Sequence, residues 1–325
     1  MKRKVEVSEL IFRIIAYVIL IIFAIMCIYP FLYAIGGAFS SSAAIDGDSV
    51  VLWPMVQNDA GKMVFGFDFK AFTYAATRNQ FWISYANTLF VTILGTVWTL
   101  VYSILGAYAL SKKRLLGRHG WNFFLVFTMW FSAGVVATFY NYQATGKVFA
   151  NLAGVEESLW RTEVDLKWLV VIAMGMNATN IILLRNAFEG VPSEIEEAAR
   201  IDGATERQVL MNVFIPMSKA TIATVALFFG ISRWNGYFWA YRIMGTEQSE
   251  SWPVQVYIRY FISNYTNLTG EYDAEVARGY DVAANGSATS VVYSLVICAI
   301  IPILVIYPFI QKYFAKGVNM GGVKE

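Results

Sequence analysis

Six apolar runs, each roughly 20 residues long, limit most strongly what this chain can fold into. A run of that length crosses the hydrocarbon core of a bilayer as a helix, because each backbone N–H and C=O must find its partner inside the segment. The composition agrees, with 57% hydrophobic and only 15% charged residues. The sequence therefore predicts an all-α, polytopic membrane protein. The six predicted spans are Ile11–Phe39, Phe81–Leu110, Trp121–Tyr140, Trp168–Leu184, Met217–Trp239 and Ser290–Phe314.

Cations mark one side of this predicted bundle. They precede the first span, join the second span to the third, and follow the sixth. The positive-inside rule places these segments and both termini in the cytoplasm, and alternation adds the segment between the fourth and fifth spans. Without a low-complexity tract or Pro-rich linker, residues 1–325 are interpreted as one membrane domain, with core spans over about 81–314 and a first span over about 11–39. The cations are Lys2, Arg3, Lys4, Arg13, Lys112, Lys113, Arg114, Arg118, Lys312, Lys316 and Lys324.

A charged, helix-forming stretch over residues 191–216 interrupts the apolar runs on that cytoplasmic side. Ser193 and Glu196 have the spacing of a capping box, which predicts the start of a first helix. Gly203 supplies the positive φ that ends it. A second capping box is predicted at Thr205 with Gln208, and one face of the first helix carries Ile195, Ala198, Ala199 and Asp202.

The sequence contains no motif for catalysis, metal binding or nucleotide binding. The one histidine, His119, excludes a His-His metal pair, and no GxxxxGK[ST] loop is present to hold nucleotide phosphates. Cys27 and Cys298 lie within apolar runs, as packing residues do. The net charge of +2 and the lack of a basic, aromatic-rich tract exclude nucleic-acid binding. We therefore expect no catalytic residue, no metal and no cofactor bound by this chain, so any ATP must bind to another subunit.

The spacing within residues 191–216 resembles the EAA signature of ABC importer permeases. Glu197-Ala198-Ala199 is followed by Gly203, and Val213, Ile215 and Pro216 come at the expected offsets. The wider chain resembles the second permease of carbohydrate importers, in particular the LplC-like subgroup for complex oligosaccharides. Matching segments are Thr88–Thr96, Ala107–Arg118, Phe127–Gly134, Leu183–Ala204 and the carboxyl end, whereas Gln143–Lys167 and Trp252–Asp281 match less well.

That resemblance implies a type I ABC importer permease fold in a bacterial cytoplasmic (inner) membrane. It implies a second permease as heterodimer partner, an ATPase dimer that carries ATP and Mg²⁺, an extracytoplasmic solute-binding protein, and an oligosaccharide cargo. The EAA loop would be a coupling helix that docks in a cleft of the ATPase. Its residues would be Glu197 and Asp202 for basic groups, Ala198 and Ala199 for close approach, Gly203 for the bend, and Pro216.

The fifth apolar run contains Arg233, which is a candidate residue of the translocation pathway. A cation at that depth costs about 2.5 to 3.5 kcal/mol on insertion scales unless it faces a cavity or a partner. A guanidinium also binds carboxylates bidentately, which suggests an anionic, uronate-containing cargo. The alternatives are an interhelical ion pair or outward snorkelling. The further candidates are Tyr237, one helical turn beyond Arg233; Asn235 with Trp239 at the same spacing; Asn177 and Asn180 in the fourth span; and Asn87 in the second.

These observations favour a permease subunit of an ATP-driven oligosaccharide importer, which forms half of the pathway and is driven through its EAA loop. The alternative is an autonomous secondary transporter or a membrane receptor. Such a carrier would have paired ionisable residues in its spans, and Arg233 lacks an acid at matching depth. The sequence does not determine which glycan is carried or which of the two permeases binds it.

Overall fold

The computed structural model describes residues 7–131, 133–245, 248–265 and 286–318. The predicted cytoplasmic cations Lys2, Arg3, Lys4 and Lys324 lie outside them, as do residues 246–247 and 266–285 of the segment between the fifth and sixth predicted spans. The described chain is mostly helical, and its strands form one two-stranded antiparallel sheet. It divides into two compact units. The first unit joins the chain up to Asn79 with Ile258–Ile301, and the second joins Gln80–Tyr257 with the chain from Pro302 onward. The assignment of a single permease domain remains a prediction.

The elements follow in chain order. They begin with α1 (Val7–Ala38), α2 (Ser42–Asp46), β1 (Met55–Gln57), β2 (Met63–Phe65), α3 (Lys70–Thr77), α4 (Asn79–Ser111), α5 (Arg118–Trp130) and α6 (Gly134–Leu152). After a 3-10 turn at Glu157–Leu159 come α7 (Trp160–Glu163), α8 (Leu166–Ala173), α9 (Ala178–Glu189), α10 (Ser193–Ile201), α11 (Glu206–Val209), a π-helical turn (Leu210–Phe214) and α12 (Ile215–Met217). The chain continues with α13 (Lys219–Trp234), α14 (Tyr237–Met244), a 3-10 turn at Ser249–Ser251, α15 (Val254–Tyr265) and α16 (Ala288–Val318).

Three of the six predicted spans are continuous helices. Stretches of α1, α4 and α16 are long and apolar enough to cross a membrane, over Glu9–Ala38, Asn79–Ser111 and Ala288–Pro308. Proline lies inside two of these helices, at Pro30 in α1 and at Pro302 and Pro308 in α16. The first, second and sixth apolar runs therefore form helices as predicted.

The other three predicted spans are broken, which the apolar runs do not reveal. The third span is divided between α5 and α6, which meet at 117°, and the fourth between α8 and α9, which meet at 50°. The fifth is interrupted between α13 and α14. A further bend of 85° separates α11–α12 from α13, at the start of the fifth predicted span, and up to six spans result if each bent pair counts as one. Local backbone explains two of these breaks. Gly134 begins α6 with φ of +75°, and Gly175 lies between α8 and α9 with φ of +100°. Neither conformation continues a right-handed helix.

The fifth span also ends earlier than predicted. Its helix α13 stops at Trp234, Asn235 is the C-cap, and α14 begins at Tyr237. The predicted one-turn spacings from Arg233 to Tyr237 and from Asn235 to Trp239 are therefore wrong, because these residues do not share one helix. Gly236 lies between the two helices, where a Cβ would be 3.2 Å from the Ser232 carbonyl oxygen.

An apolar core within the second unit packs α4, α9 and α13 against α11 and the π-helical turn. Phe188 of α9, Phe214 of the π-helical turn and Phe229 of α13 are almost fully buried in it. The Phe188 and Phe214 rings meet edge to face, with centroids 5.8 Å apart. Because helix α11 and the π-helical turn bury their apolar stripe against the spans, the loop over residues 191–216 is packed rather than loosely tethered. The other buried members are Ala107, Ile181, Leu184, Val209, Leu210 and Val225.

Candidate functional site

The stretch over residues 191–216 forms the predicted helix, glycine turn and second helix. Gly203 has φ of +80°, as predicted for the residue that ends the first helix. The second capping box is also confirmed, since Thr205 and Gln208 each bond the other's backbone N–H. The first is wrong: Pro192 is the N-cap of α10, and the Ser193 side chain makes no cap bond. Because the predicted partner Glu196 is drawn into ion pairs instead, it does not reach back to Ser193.

Ion pairs tie α10 and α11 to the basic segment that follows α4. Glu196 accepts from Lys112 Nζ at 2.8 Å and from Arg200 Nη2 at 2.8 Å. Arg200 also reaches Glu206 Oε1 at 2.7 Å. Glu206 in turn pairs with Arg114. The segment that the positive-inside rule marked is thus bonded directly to the EAA loop.

Lys112 and Glu196 form the most enclosed pair of this network. The Lys112 ammonium lies over the Phe214 ring, 3.7 Å from its centroid, and over the Tyr108 ring at 4.2 Å. Burial lowers the pKa of Lys112 despite its bond to Glu196. Burial would raise the pKa of Glu196, but the hydrogen bonds from Lys112 and Arg200 outweigh it, and the pKa lies below its ordinary value. The Glu196 carboxylate is therefore ionised at neutral pH and held by two cations.

We expect Lys112 and Glu196 to be energetically coupled. In a double-mutant cycle of Lys112→Met with Glu196→Gln, thermal unfolding should yield a coupling energy of about 1 kcal/mol, because methionine keeps the contact with the rings and loses the charge. Lys113→Met is the matched control, since Lys113 is exposed on the same loop. Its coupling to Glu196→Gln should be near zero. Equal coupling at both lysines would mean that the contact adds no specific energy.

The opposite side of α10 faces outward. Glu197, Ala198 and Asp202 are exposed, and Ile201 has 86% of its surface exposed. Gly203 and Pro216 are exposed as well, while Ala199 is half-buried. Five of the six predicted coupling residues therefore lie at the surface, next to an isolated apolar side chain, whereas the ion-paired Glu196 and Arg200 turn toward the chain itself.

Arg233 is buried at the end of α13, with only 5% of its surface exposed. Its guanidinium donates to the carbonyls of Val170 at 2.6 Å and Val171 at 3.0 Å, and also to that of Met174. A fourth bond runs to Thr99 Oγ1 at 2.8 Å. These carbonyls belong to the last turn of α8 and its C-cap, where the helix dipole favours a cation. None of its partners in the described chain is a carboxylate, so it caps a broken span instead of forming an ion pair or snorkelling outward.

Two glycines make room for this guanidinium. A Cβ on Gly95 would lie 2.9 Å from Arg233 Cζ, and one on Gly175 would lie 2.8 Å from its Nε. Real Cβ atoms do not approach so closely, so larger residues at either position would displace the side chain. Within the described residues, Arg233 Nε has no acceptor although it is buried. The cation is therefore enclosed on two sides, and its Nε–H remains without an acceptor in the described chain.

A cavity of about 560 Å³ lies beside Arg233. It brings together four of the predicted pathway residues, Arg233, Asn177, Asn180 and Trp239. The Tyr142 ring stands edge-on to Trp239, with centroids 5.1 Å apart. Asn177 Oδ1 accepts from Thr179 N at 2.8 Å and so caps α9 at the cavity wall. Aromatic faces, amides and one cation thus line a space large enough for a small ligand.

Three predicted pathway residues lie elsewhere. Asn87 Nδ2 donates to the Glu250 carbonyl at 2.6 Å and to that of Trp252 at 3.2 Å, which holds the segment before α15. Asn235 is exposed and donates to the Ile231 carbonyl at 3.1 Å. Tyr237 is exposed on α14. None of these residues lines the 560 Å³ cavity.

Sequence reasoning missed the residues that build the Arg233 environment. Thr99 and Gly95 resemble ordinary residues of an apolar span, and nothing local distinguishes them. Gly175 and Asn177 did carry a signal. A glycine followed by a good N-cap residue inside an apolar run indicates that one helix stops and another begins.

Comparison with known proteins agrees with this architecture. The family described as binding-protein-dependent transport system inner membrane component matches residues 9–320. The chain is 31% identical to the polygalacturonan/rhamnogalacturonan transport system permease protein YtcP of Bacillus subtilis, over 96% of this chain and 98% of that one. It is 30% identical to protein LplC of the same organism, over 91% and 89% of the two chains.

A solved structure is similar over almost the whole chain. It belongs to a bacterial ABC transporter involved in the import of the acidic polysaccharide alginate. The identity is 37%, the TM-score is 0.78, and the match covers 96% of this chain and 100% of that one. Together with the helical membrane fold, these matches show that the chain belongs to the binding-protein-dependent transport system inner membrane components and is a permease of a sugar ABC importer.

Proposed function

We propose that this permease forms half of a translocation pathway for acidic, uronate-containing oligosaccharides and is driven through α10 by a separate ATPase dimer. ATP and Mg²⁺ then bind to the ATPase, a second permease completes the pathway, and an extracytoplasmic solute-binding protein delivers the cargo. The chain lies in the bacterial inner membrane with both termini in the cytoplasm. An autonomous carrier or receptor does not agree with membership of this family.

The two-sided character of α10 is the observation that carries the coupling role. One side is held to the chain by Lys112 through Glu196 and by Glu206 through Arg200, and the other presents Ala198 and Ile201 to solvent. A small residue beside a large exposed apolar one suits insertion into a cleft on a partner. Motion of the docked helix would then pass to the basic segment after α4 through the ion pairs.

Three observations support the acidic cargo. The names of two similar proteins refer to polygalacturonan/rhamnogalacturonan and to the acidic polysaccharide alginate. The cavity beside Arg233 contains a cation, two asparagines and a tryptophan. A guanidinium in an enclosed, weakly screened place attracts carboxylates even where most of its hydrogen bonds are already made.

Co-purification tests the coupling role. Ala198→Arg should abolish recovery of the ATPase with the permease, because a long cation on the exposed face of α10 blocks close approach. Asn151→Arg, which adds the same side chain at an exposed position on α6, is the matched control and should retain the ATPase. Scrambling residues 197–203 should act like Ala198→Arg. Full recovery of the ATPase with both altered α10 sequences would contradict the assignment.

A further inference from the structure

A short β-hairpin follows the first span in the first unit, and hydrogen bonds attach its base to the end of α1. Met55 pairs with Phe65 at the base, while the turn over residues 58–62 lies at the opposite end. Met55 N donates to Ser40 Oγ at 2.9 Å, and Ser41 N donates to the Met55 carbonyl at 3.0 Å. The base of the hairpin therefore lies at the level where the first span ends.

Three phenylalanines surround this base. Phe65, Phe67 and Phe69 are alternate residues of the segment that leads from β2 to α3. Their rings contact one another, with centroids 5.4 Å apart for the first pair and 6.4 Å for the second. Their exposed fractions are 63%, 55% and 59%. We call these three residues the phenylalanine patch. Phe39, directly after α1, contacts two of its rings at 5.8 and 5.5 Å.

The length of α1 gives the depth of the patch. Large apolar side chains are exposed along α1 from Leu10 to Ile35, which is about 38 Å at 1.5 Å per residue. A bilayer is roughly 40–45 Å thick with its headgroups. Phe39 comes four residues after Ile35 and so lies at the depth of the headgroups. The phenylalanine patch, in contact with Phe39, continues the apolar surface of α1 at that depth.

We propose that the phenylalanine patch inserts into the lipid headgroup region on the side of the membrane where α1 ends. Amphipathic and aromatic side chains at this depth anchor a protein to the interface. Asp59 and Lys62 lie in or beside the turn, at the end of the hairpin away from the patch, while Asp68 and Lys70 lie beside the phenylalanines, where charged lipid headgroups and water are present. The hairpin thus stands with its base in the membrane and its turn in water, and it fixes the depth of the first span.

Site-directed labelling in liposomes tests this inference on the assembled transporter. Cys27 and Cys298 are replaced by serine, and Phe67→Cys is compared with Asp59→Cys as the matched position in the turn. We expect Phe67→Cys to react about tenfold more slowly with a membrane-impermeant maleimide, because reaction requires access of the reagent to the thiolate. A bimane label at position 67, but not at position 59, should be quenched by lipids that carry a nitroxide near the headgroup.

The outcomes separate lipid from water and from protein. Rapid reaction at position 67 without quenching would place the patch in water. Slow reaction without quenching would mean that a protein surface covers it. Either result overturns the inference. If Phe67→Cys lacks uptake activity, Phe65→Cys takes its place, because that ring is the most exposed of the three.

Discussion

A Gly203→Val transporter is expected to assemble and hydrolyse ATP while its sugar uptake falls about tenfold or more, the factor that ~1.4 kcal/mol produces. Gly203 has φ of +80°, and a Cβ there would meet no atom within 4 Å. The cost of substitution is therefore purely a backbone cost, about 1–2 kcal/mol for an ordinary residue and more for a β-branched one. A turn that relaxes away from positive φ would change the angle between α10 and α11 without disturbing the core.

The choice of residue makes this test specific. Asparagine tolerates positive φ, so Gly203→Asn should transport nearly as well as the unaltered protein, and Gly203→Ala should be intermediate. Uptake and ATP hydrolysis are measured together in liposomes, so that the ratio of sugar moved to ATP hydrolysed is the readout. Normal uptake by Gly203→Val, with the ATPase bound as usual, would contradict a coupling role for this turn.

The second large effect is expected at Arg233. Arg233→Gln should lower uptake of an acidic oligosaccharide about tenfold more than uptake of a matched neutral one, again corresponding to ~1.4 kcal/mol. The substitution also weakens the cap on α8, since one amide cannot serve three carbonyls, and each buried carbonyl left without a donor costs about 1–3 kcal/mol. Uptake of both sugars should therefore fall, but unequally.

Gly95→Ala separates these two contributions. Its Cβ would press on the guanidinium, so the cap on α8 is disturbed while the positive charge remains. We expect this variant to lose uptake of acidic and neutral sugars in equal proportion. If Arg233→Gln also lost uptake of acidic and neutral sugars in equal proportion, Arg233 would serve only to cap α8. Recognition of a charged cargo by this residue would then be refuted.

Local patterns were sufficient for much of the loop over residues 191–216. The turn at Gly203 and the capping box at Thr205 depend on residues within one or two helical turns, and both are found as predicted. The capping box at Ser193 failed for a tertiary reason. Lys112, distant in sequence, offers Glu196 a stronger partner than a backbone N–H, because an ion pair that is partly withdrawn from water outweighs a neutral hydrogen bond.

The sequence by itself determined the number and order of the apolar spans, the EAA loop and the class of protein, because length, composition and short spacings are local properties of the chain. Only the tertiary structure decided where three spans break and what Arg233 does. Its guanidinium bonds residues between 59 and 134 positions away. A buried cation must find acceptors, and those nearest in space were the free carbonyls at the end of a half-span. No local pattern specifies that approach.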